Sequence, residues 1–381
     1  MFLLPILLGL IFILTLSLKL LGGKIAWWIV ITFGALFLVP IIVLITLEFI
    51  STTKMQKINY KKFVMESVKI TLFCLITALI FKLSGASNNT LLIIFNMAVM
   101  SSAAAFSVEK RNLKHVTLAP IVIVISTVLG GVTGFYFPIL AKVLTVLYAS
   151  LAFYFSKTKN QKNVFVIGAI IFLILSAIPF NLKDGMRYML DGIVVSIIFV
   201  IFNVLFGNVE LGKSIESDKI SNSGLISAVT GLSLTLGFVV GLLLQKYSHF
   251  SYLYWIPMTS LVIIQGSQGK TIQTSVKRIF SNTTGALLIV FLFNYVIPPV
   301  FMINFMMLTL FLFLIFALGF SYFLMTLFIE LFVLGFTHLL GNYQNIIAID
   351  RITMTFIGSV IVMLSALLVH FLYSKKSNAV K

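Results

Sequence analysis

Charge is scarce in this chain. Only 10% of its 381 residues are Asp, Glu, Lys or Arg, while 60% are hydrophobic, and the mean hydropathy is +1.14. A soluble domain carries roughly a quarter charged residues. This sequence therefore lacks the polar side chains to cover a surface facing water on all sides, and lipid must be most of its solvent. Cysteine is scarcer still. Cys74 stands alone inside an apolar run, which excludes a disulfide framework and a thiolate metal cluster and reads as a small buried hydrophobe. Ten acidic residues face 27 basic ones, for a net charge of +17. In a soluble protein that balance would point to nucleic acid. Here the positive charges sit in short loops between apolar segments, where they set membrane topology instead, so no nucleic-acid partner is expected. The four histidines, His115, His249, His338 and His370, are scattered near helix ends with no metal-ligand spacing. No metal, no cofactor and no enzyme chemistry is expected, because no acid–base or metal-binding cluster converges in the sequence.

What is present is long apolar runs. A helix rises about 1.5 Å per residue, so about 20 apolar residues cross the hydrocarbon core. Spans are expected near 2–21, 25–50, 66–82, 90–106, 116–133, 135–155, 164–180, 188–206, 223–245, 252–267, 279–297, 299–317, 318–339 and 352–373. The fold class is thus an all-α membrane protein with about twelve to fourteen transmembrane helices. The short stretches 66–82 and 252–267 are the ones expected to tilt or to re-enter. The leading run has no basic residue before Lys19 and is followed at once by a second apolar run, so both read as retained helices rather than a signal peptide.

Placing the Lys54–Lys62 loop in the cytoplasm and alternating sides puts nineteen of the 27 basic residues on that face. Lys110, Arg111, Lys114, Lys157, Lys159, Lys162, Lys213 and Lys219 are among them, while Lys142, Lys183, Arg187, Lys246 and Arg351 fall opposite. One assignment satisfies nearly every loop, as the positive-inside rule requires, and it places both termini in the cytoplasm of an inner-membrane protein. After a leading helix pair and loop (1–65) come two six-span halves, 66–206 and 223–381, joined by a polar linker over 207–222 that holds Glu210, Glu216 and Asp218. Six is even, so the halves share one orientation. They form two parallel six-helix repeats, a layout common among transporters.

The segment Gly266-Ser267-Gln268-Gly269-Lys270-Thr271 superficially resembles a phosphate loop, but Ile264 occupies the position that needs the first Gly. The same residues belong to a longer pattern. Tyr254-Trp255-Ile256-Pro257-Met258-Thr259 is followed by Gln265-Gly266, Gly269-Lys270-Thr271, Lys277-Arg278 and Gly285-Ala286. Downstream, Arg351-Ile352-Thr353-Met354-Thr355-Phe356-Ile357-Gly358 repeats the Arg-to-Gly spacing. This pattern resembles the fusaric-acid-resistance-like (FUSC) family, which includes the aromatic acid exporters. Its members show a Trp-Pro-Thr span, a Gly-Thr turn, Arg-x-x-Gly-Thr-x-x-Gly and a closing Arg-x-x-Asp-Thr-x-x-Gly. Ser281, Asn282 and Met354 stand where the family has Gly, Thr and Asp. The resemblance covers 223–373 well and 66–206 loosely. It implies a helical membrane protein that exports organic anions. It also marks Trp255, Pro257, Gly269, Gly285 and Gly358 as structural positions, the small residues letting helix backbones approach closely in lipid.

Candidate functional residues follow from depth and charge. Glu330 lies near the middle of the span 318–339, where a charge is costly and normally faces a cavity or a partner. It is the candidate proton carrier of an antiporter. Arg278, expected at the cytoplasmic mouth, and Arg351, expected at the outer mouth, are candidates to attract an organic anion, or else they snorkel to anchor helix ends. Arg187 with Asp191, and Asp350 beside Arg351, read as ion pairs at the outer surface. Thr259, Gln265, Asn96 and Asn203 place hydrogen-bonding groups within spans, where they line a pathway or link helices. The expected function is secondary export of organic anions, aromatic ones among them, with proton coupling. A passive anion channel and a non-transporting subunit of a membrane complex are the alternatives. The expected partners are the bilayer and a small organic anion, with a homo-oligomer or an envelope partner left open.

Overall fold

The structure, a computed structural model, describes residues 60–106, 111–156, 159–206, 209–210, 223–247, 252–264, 268–293, 305, 308–310, 312, 322–339 and 345–379. The two leading spans, the span at 299–317 (but for a few residues), Gln265 and most of the linker lie outside the described residues. Helix dominates. The elements are α1 (Tyr60–Leu83), α2 (Asn88–Phe106), α3 (Leu113–Tyr136), α4 (Pro138–Phe155), α5 (Lys159–Ala177), α6 (Leu182–Phe206), α7 (Ser223–Tyr247), α8 (Trp255–Ile263), α9 (Gln268–Phe291), α10 (Tyr322–Leu339) and α11 (Asn345–Ala379). Among the described residues the only sheet is a two-residue parallel pairing of β1 (Arg111–Asn112) with β2 (Val209–Glu210). A lipid-facing chain must satisfy its backbone hydrogen bonds within each segment, which selects helices.

Five described helices are long and apolar enough to cross a bilayer: α3, α4, α6, residues 223–246 of α7 and residues 347–373 of α11. This is a membrane protein. Large apolar side chains such as Ile139, Leu190, Leu243 and Leu364 point outward, which in water would invite aggregation and in lipid satisfies the solvent.

Two expectations about helix limits change. Among its described residues, the stretch at 252–267, expected to tilt or to re-enter, holds the nine-residue α8, roughly 14 Å long and too short to cross the core. The chain leaves α8 at Ile264 in an extended conformation, and Pro257 sits in the first turn, where its missing N–H costs nothing. The helix expected to begin at 279 begins instead at Gln268. Gly269, expected in a turn, lies in the first turn of α9 and is exposed. Hydropathy excludes Gln268, Lys270 and Gln273 from a span, but helical backbone bonding is indifferent to side-chain polarity, and polar residues suit a helix end.

The described residues form two compact units. Val64–Val276 and 354–379 make one, and 60–63 with Lys277–Thr353 make the other. In the larger unit α3 is the hub, packed on α2, α4, α5 and α6, while α4 packs on α7 and α8 packs on α7 and α5. Gly130 and Gly134 bring α3 against α5 at close range. A Cβ at Gly130 would lie 2.6 Å from the Phe172 carbonyl oxygen, and Gly134 faces Ser176 in the same way. Small residues four apart permit such backbone approach. One end of this unit is marked by the β1–β2 pairing, which joins the segments after α2 and α6. At the opposite end, the Phe180 N–H donates to the Gly131 carbonyl at 3.3 Å. In the smaller unit, described residues of α9, α10 and α11 surround the buried charges considered next.

Candidate functional site

Three helices of the smaller unit each supply one buried charged residue: Arg278 from α9, Glu330 from α10 and Arg351 from α11. Their exposures are 3%, 0% and 2%. Arg351 Nε donates to both carboxylate oxygens of Glu330, each at 2.9 Å. Arg278 lies near enough for its charge to act on Glu330, and it lies beside Tyr322. Among the described residues, the Arg278 Nε and the Tyr322 hydroxyl are buried without a hydrogen-bond partner. Asp350, next to Arg351, is also buried.

The local sequence explains why the cluster forms. Gly285 on α9 opens the space for Glu330. A Cβ there would lie 2.9 Å from Glu330 Cβ and 3.1 Å from the Leu327 carbonyl oxygen. One turn earlier on both helices, the Ser281 and Thr326 hydroxyls are hydrogen-bonded to each other. One turn earlier again, Arg278 meets Tyr322. The pairs 278/322, 281/326 and 285/330 advance together, so α9 and α10 run parallel in register. Residues three and four apart share a helix face, and all three pairs lie on the faces where the two helices meet.

The two arginines were expected at opposite membrane mouths, with Arg351 paired to Asp350 at the outer surface. In the structure both are buried, and Arg351 pairs with Glu330. Arg278 lies ten residues into α9, because that helix starts earlier than hydropathy suggests. A snorkelling role for either side chain does not fit burial at these levels.

The other candidates are not part of this cluster. Thr259 is buried in α8, and Gly358 of α11 packs on it. A Cβ at Gly358 would lie 2.7 Å from the Ile256 carbonyl oxygen and 2.9 Å from Thr259 Cβ. Trp255 and Pro257 are buried in the same helix. Asn203 is buried and donates to its own helix at the Phe199 carbonyl, 2.8 Å away. Asn96 is half-buried on α2. All of these belong to the larger unit. Gln265 lies outside the described residues. The sequence reading missed Tyr322, Ser281 and Thr326. The signal for two of them was available: Tyr322 and Thr326 precede Glu330 by eight and four residues, on the same helical face.

Chemically, the cluster is a carboxylate held by one guanidinium with a second guanidinium nearby. Burying such groups costs several kcal/mol per ion unless they are paired and hydrogen-bonded. Arginine suits the task because its planar fork matches carboxylate geometry. A small organic acid offers Arg351 the same oxygens that Glu330 now provides.

Residues 226–365 match a family described as fusaric acid resistance protein-like. No curated protein and no solved structure matches the chain. The matched stretch runs from early in α7 into α11 and contains the whole Arg278–Glu330–Arg351 cluster. The resemblance carried by the Trp255-to-Gly285 and Arg351-to-Gly358 motifs is therefore real over this stretch, and by it the chain is similar to the fusaric acid resistance protein-like family.

Proposed function

We propose that this protein is a secondary transporter of the inner membrane that exports organic anions, aromatic ones among them, with proton coupling. The observation that carries this reading is the buried Arg351–Glu330 pair, with a second buried arginine, Arg278, on the neighbouring helix α9, inside the family-matched stretch. An intramembrane ionisable cluster marks a substrate or proton pathway more often than a structural strut.

The geometry supports one coupling scheme over another. Glu330 occupies Arg351 when ionised. When Glu330 takes a proton, the pair loosens and Arg351, together with Arg278, is free to hold the carboxylate of a substrate. Anion and proton then load in the same step, because each favours the binding of the other. An antiporter, the sequence expectation, needs proton and anion to compete for one group, whereas loading both makes the step a symport, in which export runs down an outward anion gradient rather than on the inward proton gradient.

The wider architecture in this reading is twelve to fourteen spans in two parallel six-helix repeats, with both termini in the cytoplasm. The β1–β2 pairing supports it, since it brings the Arg111 loop and the start of the polar linker to one end, as the charge pattern requires.

The test is flux in proteoliposomes containing purified full-length protein and a panel of aromatic carboxylates. Wild-type flux that responds to an imposed pH gradient and stops with a protonophore supports the reading. Arg351→Gln and Arg278→Gln are expected to lower anion flux at least tenfold, and Glu330→Gln to leave anion movement without proton movement. Anion currents indifferent to pH in the wild type would favour a passive channel. Absence of flux for every panel member would favour a non-transporting subunit.

A further inference from the structure

The larger unit carries a crevice lined by none of the residues of the buried charge cluster. Its volume is about 300 Å³, at the lower end of the range for small-molecule sites. It is walled by the first turns of α4, the C-terminal end of α5, the last turns of α7 and the segment leading into α8. Every wall is a helix end, so the crevice lies at one boundary of the bundle, opposite the end marked by β1 and β2.

Its lining is unlike a packing defect. Lys142 from α4 is half-buried in the crevice and forms no ion pair with a described residue. Gln245 from α7 adds an amide, and Ser176 a hydroxyl. Tyr252 and Tyr254 close the far wall, where Tyr252 stacks on Trp255 with ring centroids 4.8 Å apart and an interplanar angle of 16°. Gly241 leaves room on α7, the nearest atoms to a Cβ there being on Leu253 at 3.9 Å. Around the mouth, Ile139, Leu140, Leu242 and Leu243 are exposed. Aromatic residues and a lysine at a helix-end boundary, above exposed aliphatic side chains, match the layering of a bilayer: phosphate and water at the rim, acyl chains below.

We propose that this crevice binds the headgroup of an anionic phospholipid. Lys142 pairs with the phosphate, and the tyrosine hydroxyls and Gln245 supply hydrogen-bond donors. The acyl chains lie along the exposed aliphatic faces of α4 and α7. A free organic anion shares the phosphate's charge but gains nothing from those faces, and this separates the two sources. The inference is independent of the transport reading, since it uses none of the residues of the Arg–Glu–Arg cluster.

The experiment is lipid binding by the purified full-length chain in detergent, followed by native mass spectrometry and by thermal unfolding. Phosphatidylglycerol is compared with phosphatidylcholine, and inorganic phosphate and benzoate are offered as competitors. The wild type is expected to prefer phosphatidylglycerol, with about a fivefold loss of affinity in Lys142→Gln, the scale of one lysine–lipid attraction. Lys142→Arg keeps the charge and is expected to retain the preference, so a loss in the Gln variant reports charge rather than misfolding. Lys183→Gln, an exposed lysine at the same end, is expected to bind as the wild type does. Equal phosphatidylglycerol affinity in Lys142→Gln and wild type would overturn the proposal. So would displacement of the lipid by millimolar phosphate or benzoate, which would assign the crevice to a soluble anion.

Discussion

Gly285 leaves the space that Glu330 fills. A Cβ at Gly285 would stand 2.9 Å from Glu330 Cβ, on the neighbouring parallel helix. The Glu330 carboxylate is in turn held by Arg351 at 2.9 Å. A residue with no side chain thus governs how deeply a charged one is buried.

Gly285→Ala is expected to force α9 and α10 apart at that point. Overpacking of this kind costs about 1–3 kcal/mol. A lower thermal midpoint for the variant in detergent, relative to wild type, is the measurement. An unchanged midpoint would mean that the helices adjust freely and that the fit at Glu330 is loose. Gly358→Ala is expected to cost at least as much, since its three nearest neighbours, the Ile256 carbonyl oxygen and the Thr259 Cβ and Cγ2, all lie on the short helix α8.

Removing one partner of the buried ion pair leaves an uncompensated charge. Arg351→Met is expected to destabilise by about 3–5 kcal/mol, whereas replacing both members with apolar residues of similar volume is often close to neutral. Arg351→Met with Glu330→Leu should therefore recover much of the loss, read from midpoints of chemical unfolding in a double-mutant cycle. A double variant as unstable as the sum of its singles would show that the two residues do not stabilise one another.

The Ser281–Thr326 hydrogen bond joins α9 to α10 one turn before the pair. Ser281→Ala is expected to cost about 1 kcal/mol. Ser281→Gly, which installs the residue type of the related family's pattern, should cost somewhat more because of glycine's greater freedom in the unfolded chain. Thermal unfolding of the two variants side by side settles the order.

Proton and anion are expected to load together. When an aromatic carboxylate binds at Arg351 it replaces the Glu330 carboxylate, which then takes a proton from solution. In weakly buffered detergent solution the pH should rise on ligand addition. Glu330→Gln should bind without that rise. Binding by the wild type with no pH change would sink the co-loading scheme while leaving anion binding intact.

Much of this was legible from the residues alone. Long runs of apolar side chains with basic residues between them require a helical membrane protein, because lipid leaves backbone groups no partner outside their own segment. The limits of α2, α3, α4 and α7 were close to those expected, since in these helices the hydropathy boundary and the helix boundary nearly coincide. They part at α6 and α9, where polar residues extend the helix without extending its apolar surface. They part again at α8, where the apolar run 252–267, already short for a crossing, is cut by a return to extended backbone at Ile264.

Glu330 and both arginines were also legible as single candidates, because a charge in an apolar span is conspicuous. Their convergence was not. Arg278 and Arg351 are separated by 73 positions in sequence, and each alone resembles an anchor at a helix end. Only the parallel register of α9 with α10, set by Gly285 and by Ser281 with Thr326, puts Arg278 on the helix face that packs against the helix carrying Glu330, and only the packing of α11 brings Arg351 to Glu330 itself. Composition determined the solvent this protein lives in, because burial of apolar area is additive along a chain. Which charges meet inside it was decided by tertiary packing, because pairing depends on distances of a few ångströms between helices far apart in sequence.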